Sequence, residues 1–282
     1  MAKNYLTIYA KSFNWAGFFL PKKVYQKCSS LYDFCRTVDD IADQELKLDI
    51  KIKQFKEFKE KFVNKDSNNH IIKNMYKLIE DTAISKKIVY DLFDGVESDL
   101  KSEVKINSKK ELLIYSYRVA GTVGLMMAKI LNVKKQNALK AAINLGIAMQ
   151  LTNFARDVVE DNIKNRTYIE SNFESIKSTL TIADSFYKSS FLSIGDIPIS
   201  SRFAILVARR VYRQIGNNIL SKKNIENYNN SGKIYVSSFG KYLQTLLSIY
   251  DFFVLLIVRS KKHSKEAEHQ IISEEINLNE RI

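Results

Sequence analysis

Four aspartates stand in two pairs of equal spacing, Asp39 with Asp43 and Asp157 with Asp161. On an α-helix, residues four apart lie on one face about one turn from each other, so each pair presents both carboxylates to the same space. Magnesium takes oxygen ligands and is usually held by one or two carboxylates together with phosphate oxygens of a substrate. Two such pairs facing one another would hold a diphosphate through shared cations and neutralise the charge it develops on departure. The chemistry this suits is ionisation of an allylic diphosphate. A single acidic pair at this spacing is common on solvated helix faces, so the weight falls on the helices that carry the two pairs.

The first pair closes a segment, Lys22 to Asp43, that follows Leu20-Pro21, and proline is tolerated in a first helical turn. Tyr25, Cys28, Leu31, Tyr32, Cys35, Val38 and Ala42 recur there at steps of three and four, which predicts one core-facing stripe. Asp39, seven residues after Tyr32, falls on that stripe. The second pair sits in a helix predicted over Gln136 to Asp161, apolar on nearly every side between Ala141 and Val159. Gln150, Asn153, Asp157 and Asp161 form a polar stripe along it, and Arg156 adjoins them. Buried charge is costly unless paired or bound to metal, so this stripe predicts a polar cavity inside the protein.

The remaining segments read as scaffold. Amphipathic helices are predicted over Asp49 to Val63, Asn69 to Thr82 and Ser85 to Lys101, and another over Lys109 to Leu131. Gly121 and Gly124 lie inside the last of these, where glycine costs about 1 kcal/mol relative to alanine, so a neighbouring helix or a ligand must approach the backbone there. Further helices are predicted over Leu180 to Tyr187 and Ser200 to Ser221, a turn over Asn227 to Gly232, and a helical second half of Lys233 to Val258. Leu246 to Val258 is the longest apolar run, short of the roughly 20 residues a spanning helix needs, and reads as a buried helix in preference to a membrane-docking one. Beyond Arg259 the chain turns charged and apolar-poor, which predicts a loosely ordered tail over 259–282 behind a catalytic unit over 1–258.

With only 2 Pro and 9 Gly in 282 residues, few positions interrupt helices, and the expected fold is all-α in one domain. The net charge of +13 is compatible with nucleic acid, an anionic membrane or a very negative small substrate. The lysines are scattered and no zinc-finger, basic-zipper or RNP signature occurs, so nucleic acid is not expected as a partner. Cys28 and Cys35 read as buried thiols, and with 3 His there is no zinc-ligand spacing. Met1 to Tyr9 lacks a long apolar stretch, so no secretory signal is expected and the protein is placed in the cytoplasm, with peripheral lipid contact on the inner membrane face.

Two stretches, Tyr32-Asp-Phe-Cys-Arg-Thr-Val-Asp-Asp-Ile-Ala-Asp43 and Gln150-Leu-Thr-Asn-Phe-Ala-Arg-Asp-Val-Val-Glu-Asp161, resemble the squalene/phytoene synthase family, most of all its bacterial phytoene synthases. The likeness begins at Lys11-Ser-Phe13 and takes in Asp94-Gly-Val-Glu-Ser-Asp-Leu100, Tyr115-Ser-Tyr-Arg-Val-Ala-Gly-Thr-Val-Gly124 and Arg166-Thr-Tyr168, reaching Tyr212. It implies an isoprenoid-synthase helical bundle with a central cavity in which the two motifs face each other over magnesium, or manganese. It also implies that Asp39, Asp43, Asp157 and Asp161 ligate metal with Asn153 beside them, and that Arg36, Arg156, Arg166 and Tyr168 steady a prenyl diphosphate. Tyr115 and Tyr212 would lie near cationic intermediates. Lys11, Ser12, Phe13, Tyr32, Val119, Gly121, Gly124 and Gln150 would complete the substrate site.

Two departures from the family pattern stand out: Ala10 precedes Lys11-Ser12-Phe13 where a serine is frequent, and Lys233 takes a place often held by arginine, keeping charge but losing a bidentate fork. The implied reaction is head-to-head condensation of two geranylgeranyl diphosphates to phytoene through a cyclopropylcarbinyl diphosphate, without NADPH. The alternatives are presqualene diphosphate, hydroxysqualene or squalene synthesis from farnesyl diphosphate-derived substrates, and a non-catalytic assembly protein of the same fold.

Overall fold

The structure, a computed structural model, describes residues 11–258 and 264–282. It is built of helices: α1 (Lys11–Gly17), α2 (Lys22–Asp43), α3 (Leu48–Val63), α4 (His70–Asp81), α5 (Lys86–Glu97), α6 (Lys109–Ser116), α7 (Thr122–Ile130), α8 (Gln136–Ile163), α9 (Phe173–Phe191), α10 (Ile199–Leu220), α11 (Ile225–Asn229), α12 (Ser238–Ile257) and α13 (Glu266–Ser273). Local chemistry marks their starts. Both prolines of the chain, Pro21 and Pro198, stand immediately before helices α2 and α10. The side chains of Asn69, Ser85, Ser108, Asn172, Asn224 and Ser237 accept hydrogen bonds from backbone N–H groups in the first turns they precede.

Helix α8, 28 residues long, runs through the centre against α7, α9 and α10, as its all-round apolar character requires. Helices α2, α3 and α5 close one side through a phenylalanine cluster in which Phe34, Phe58, Phe62 and Phe93 place ring centroids 5.4–6.3 Å apart. The only β-structure among the described residues is a parallel pair of two-residue strands, β1 (Val104–Lys105) and β2 (Arg166–Thr167), with Val104 opposite Arg166.

The stretch predicted as one helix over Lys109 to Leu131 is interrupted by a π-turn, Tyr117–Gly121, in which the N–H of Thr122 bonds the carbonyl of Tyr117. The glycines beyond it explain themselves by contact. A Cβ on Gly124 would sit 2.3 Å from the carbonyl oxygen of Ala142, and one on Gly146 would sit 2.2 Å from that of Ala120, so helices α7 and α8 cross almost backbone to backbone. Gly121 faces Ile143 and Tyr117.

Three sequence expectations are corrected. The helix expected over Leu180 to Tyr187 spans Phe173–Phe191, because Asn172 caps it and its apolar face continues through Ile176 and Phe186. Residues 264–282 are not a loose tail. His269, Ile272, Ile276 and Leu278 are buried, His269 Nε2 lies 2.8 Å from Asn144 Oδ1 of α8, and Arg281 binds buried Asp91 through two contacts of 2.9 and 3.0 Å. Charge-rich composition hid a segment whose isoleucines and leucine pack in or against the core. Finally, Leu246 to Val258 belongs to a 20-residue helix that is largely exposed, not buried.

Candidate active site

Helices α2, α5, α8 and α10, with the α6–α7 stretch, surround a cavity of about 800 Å³. One end is charged. Asp39 and Asp43 project from the last two turns of α2, and Asp157 and Asp161 from the last two turns of α8. Both acidic pairs therefore sit at helix C-termini, where the macrodipoles add negative potential of their own, so this end of the cavity demands cations twice over. The walls beyond it, formed by Val119, Val123, Met127, Leu145, Met149 and Ile205 among others, are apolar.

Bases answer part of that demand. Arg156 donates to both oxygens of Asp157 at 2.8 and 2.5 Å, and Lys233 reaches the same carboxylate at 3.1 Å and Glu160 as well. Arg166 donates to Asp43 at 2.6 Å and to the carbonyl of Ala42 at 3.1 Å, while Lys164 lies 3.6 Å from Asp43. The β1–β2 pair fixes the backbone of Arg166, since Val104 N–H bonds the carbonyl of Asn165 and Ile106 N–H that of Thr167. Arg36 bonds Asp40 at 2.7 Å. Among the described residues no three acidic, histidine or cysteine side chains converge into a ready cation cluster; the carboxylates are split between basic partners.

The other carboxylates feel the deficit. Burial, then the neighbouring charge of Asp43, pushes Asp39 up to about 7, and burial with Asp157 does the same to Asp161, also to about 7. Burial acts on Asp43 too, but the hydrogen bond and charge of Arg166, with Lys164 and Arg36, outweigh it and hold this carboxyl below its ordinary value. Asn153 donates to Gln150 Oε1 at 3.3 Å, and its own Oδ1 is buried with no hydrogen-bond partner among the described residues.

Beside the charged end, Tyr115 donates to Asp99 at 2.5 Å, and its hydroxyl oxygen lies 3.1 Å from that of Tyr168, from which it can accept. The rings of Tyr115, Phe154 and Tyr168 lie face to face with centroids 4.6–5.8 Å apart. Burial above all, then the charge of Asp99, raises both tyrosines well beyond the ordinary phenol value, so they remain neutral donors with electron-rich faces. Tyr212, on α10, lines the same cavity.

Tyr32, Arg36, Asp39, Asp43, Tyr115, Val119, Gly124, Gln150, Asn153, Arg156, Asp157, Asp161, Arg166, Tyr168, Tyr212 and Lys233 all line this one cavity. Gly121 does not; it packs against α8, and its neighbours Val119 and Ala120 reach the wall through the π-turn. The side chains of Lys11, Ser12 and Phe13 lie outside the described residues. Sequence reasoning passed over Asp99, which lies within the Asp94–Leu100 family segment but off any regular helical stripe, and over the rim residues Glu160 and Lys164.

A family model, squalene/phytoene synthase, matches residues 6–172, more than half of the chain. The chain is 26% identical over 244 residues to a 15-cis-phytoene synthase of Pantoea ananas, covering 75% of this chain and 79% of that protein. To a 4,4'-diapophytoene synthase of Staphylococcus haemolyticus it is 28% identical over 261 residues, covering 83% and 90%. Among solved structures, a dehydrosqualene synthase with bound ligand superposes with a TM-score of 0.73 at 25% identity, covering 88% of this chain and 94% of that one. The architecture is thus the all-α isoprenoid-synthase fold. The chain belongs to the squalene/phytoene synthase family and is a prenyltransferase-type enzyme.

Proposed function

We propose that this enzyme joins two geranylgeranyl diphosphates head to head to give phytoene, releasing two diphosphates and two protons and using no NADPH. The observation that carries the reading is the division of a single cavity into an end built of two facing carboxylate pairs and bases, and an apolar remainder long enough to hold prenyl chains. From Ala138 to Asp161, both on its wall, helix α8 rises about 35 Å at 1.5 Å per residue.

The donor set at the charged end fits magnesium or manganese: oxygen atoms only, two helix C-termini behind them, and an unpartnered Asn153 Oδ1 beside them. Asp39, Asp43, Asp157 and Asp161, with Asn153, would hold such ions, which when bound would neutralise the charge gathering on a departing diphosphate. The chain's own bases bind the substrate. Arg156, Arg166 and Lys233 now lie on Asp157 and Asp43, and an incoming diphosphate draws them to its oxygens, leaving those carboxylates to cations. Arg36, held by Asp40, donates from the opposite helix.

Once the first diphosphate has left, the allylic cation is attacked by the double bond of the second substrate, and loss of one proton closes the ring to give a cyclopropylcarbinyl diphosphate. This ionises at the same site, rearranges and loses a proton. The stacked faces of Tyr115, Phe154 and Tyr168, with Tyr212 on the wall of the same cavity, stabilise the positive charge without forming a bond to it. Burial excludes water, which would otherwise quench the cation to an alcohol.

A second reading is favoured by the coverage of the diapophytoene synthase relative and by the dehydrosqualene synthase fold match: the same reaction on two farnesyl diphosphates. Product analysis with each substrate and magnesium separates them. A C40 hydrocarbon from the C20 substrate supports the first reading, a C30 hydrocarbon from the C15 substrate the second, and no hydrocarbon from either overturns both.

A further inference from the structure

Helix α12 is inside out. Its inward stripe is Gln244, Ser248 and Asp251, with only Leu255 apolar, and all four are buried. Gln244 donates to Gln214 at 3.1 Å, and Asp251 takes both nitrogens of an Arg210 fork at 2.6 and 2.7 Å. The outward stripe, at steps of three and four, is Phe239, Tyr242, Leu246, Tyr250, Phe253 and Ile257. Each is exposed, Phe239 by 79% and Ile257 by 83%. A helix that turns amides and a carboxylate inward and six large apolar side chains outward matches an apolar medium, not water.

We infer that this face of α12, with Phe18 beside it, is a docking surface for an anionic lipid bilayer, on which the helix lies in the plane of the interface. Charge selects the bilayer over a second copy of the chain: the protein carries +13, so two copies repel while an anionic leaflet attracts. Within α12 the charged residues are Lys241 and the inward Asp251, and Lys22 and Lys23 stand exposed just after the Phe18–Leu20 turn. The aromatic rings of Tyr242 and Tyr250 suit the headgroup level. By length and composition α12 alone among the described helices could span a membrane. It does not cross, because α10 packs along it and carries Arg202, Arg209, Arg210 and Arg213, which would be drawn into hydrocarbon.

The surface is continuous with the cavity. Ala16, Gly17 and Leu20 line the cavity while Phe18, between them, is 74% exposed. Phe19 meets Phe203 of α10 edge-on at 5.1 Å, and Phe203 meets Phe252 of α12 at 6.3 Å, so one apolar seam joins the lipid-facing helix to the cavity wall. A hydrocarbon leaving by that seam would never enter water; this last step alone rests on the proposed function.

Flotation of the full chain with phosphatidylcholine vesicles, with and without phosphatidylglycerol, tests the docking without calling on turnover. The protein should float with the anionic vesicles. Replacing Leu246, Tyr250 and Phe253 together by Ser should lower partitioning more than about tenfold, while turnover on detergent-dispersed substrate and the thermal midpoint stay unchanged. A triple Lys53→Gln, Lys56→Gln, Lys61→Gln variant on α3 should retain most binding. Failure of the wild type to float, or flotation of the serine variant equal to wild type, overturns the inference, as does a lipid-free dimer that the serine variant dissociates.

Discussion

Replacing Gly146 by alanine probes the crossing on which the cavity wall depends. The new Cβ would lie 2.2 Å from the carbonyl oxygen of Ala120, 2.8 Å from its carbon and 3.0 Å from Cα of Gly121. All three are backbone atoms, so no side chain can rotate away, and the helices must separate by about 1 Å to reach ordinary contact. Overpacking of this kind costs roughly 1–3 kcal/mol. At about 2–4 °C per kcal/mol for a domain approaching this size, the thermal midpoint should fall by about 2–12 °C. Because Ala120 and Val119 are on the cavity wall, turnover should fall with it. Gly216→Ala is the control: its Cβ would meet only the tip of Leu180 at 3.1 Å, and the gain in helix propensity offsets that contact. Calorimetry on both variants decides the matter. An unchanged midpoint and rate in Gly146→Ala would refute the close crossing.

Other perturbations follow from the same structure. Arg281→Ala removes the fork on Asp91, which is buried and shared with Tyr117 at 3.0 Å; stranding that carboxylate should cost about 3–5 kcal/mol, visible as a lower urea midpoint, and no change would mean the C-terminal segment is not docked in solution. Asp39 and Asp161 titrate near 7 when folded against an ordinary value of 3.8. The folded state then holds protons the unfolded state has lost, so without divalent ions stability should fall as pH rises from about 4 to about 7 and level off above. Magnesium needs the ionised carboxylates, so the shift it produces in the thermal midpoint should grow over the same interval; a magnesium effect independent of pH would contradict the assignment. Asp99→Asn keeps the size of the group that Tyr115 bonds but removes its charge, and should lower turnover while leaving the magnesium requirement intact, as a magnesium titration of the variant would show.

Much of this site is legible in the amino-acid sequence. Spacing alone put Asp39 with Asp43 and Asp157 with Asp161 on common faces, and α8 was recognisable because its polar stripe interrupts an otherwise apolar helix. What the sequence concealed has physical causes. The π-turn at Tyr117–Gly121 leaves no residue signature, yet it decides that Val119 faces the cavity and Gly121 does not. Asp99 lies past the end of α5, where helical periodicity says nothing about direction. Helix α12 misled because a run of Leu, Ile and Phe reads as core; only the burial of Gln244, Ser248 and Asp251 reveals that its apolar side faces outward. The segment after residue 263 misled in reverse, since four apolar or aromatic anchors suffice to dock it.

The central claim is that the two carboxylate pairs act together on a diphosphate. Release of inorganic diphosphate from geranylgeranyl and from farnesyl diphosphate, measured against magnesium concentration for the wild type, Asp39→Asn and Asp157→Asn, tests it most directly. The account predicts saturable magnesium dependence in the wild type and a loss of at least about a hundredfold in either variant, with the helical fold retained by circular dichroism. Wild-type rates in one of the variants, or release that ignores magnesium, would contradict it.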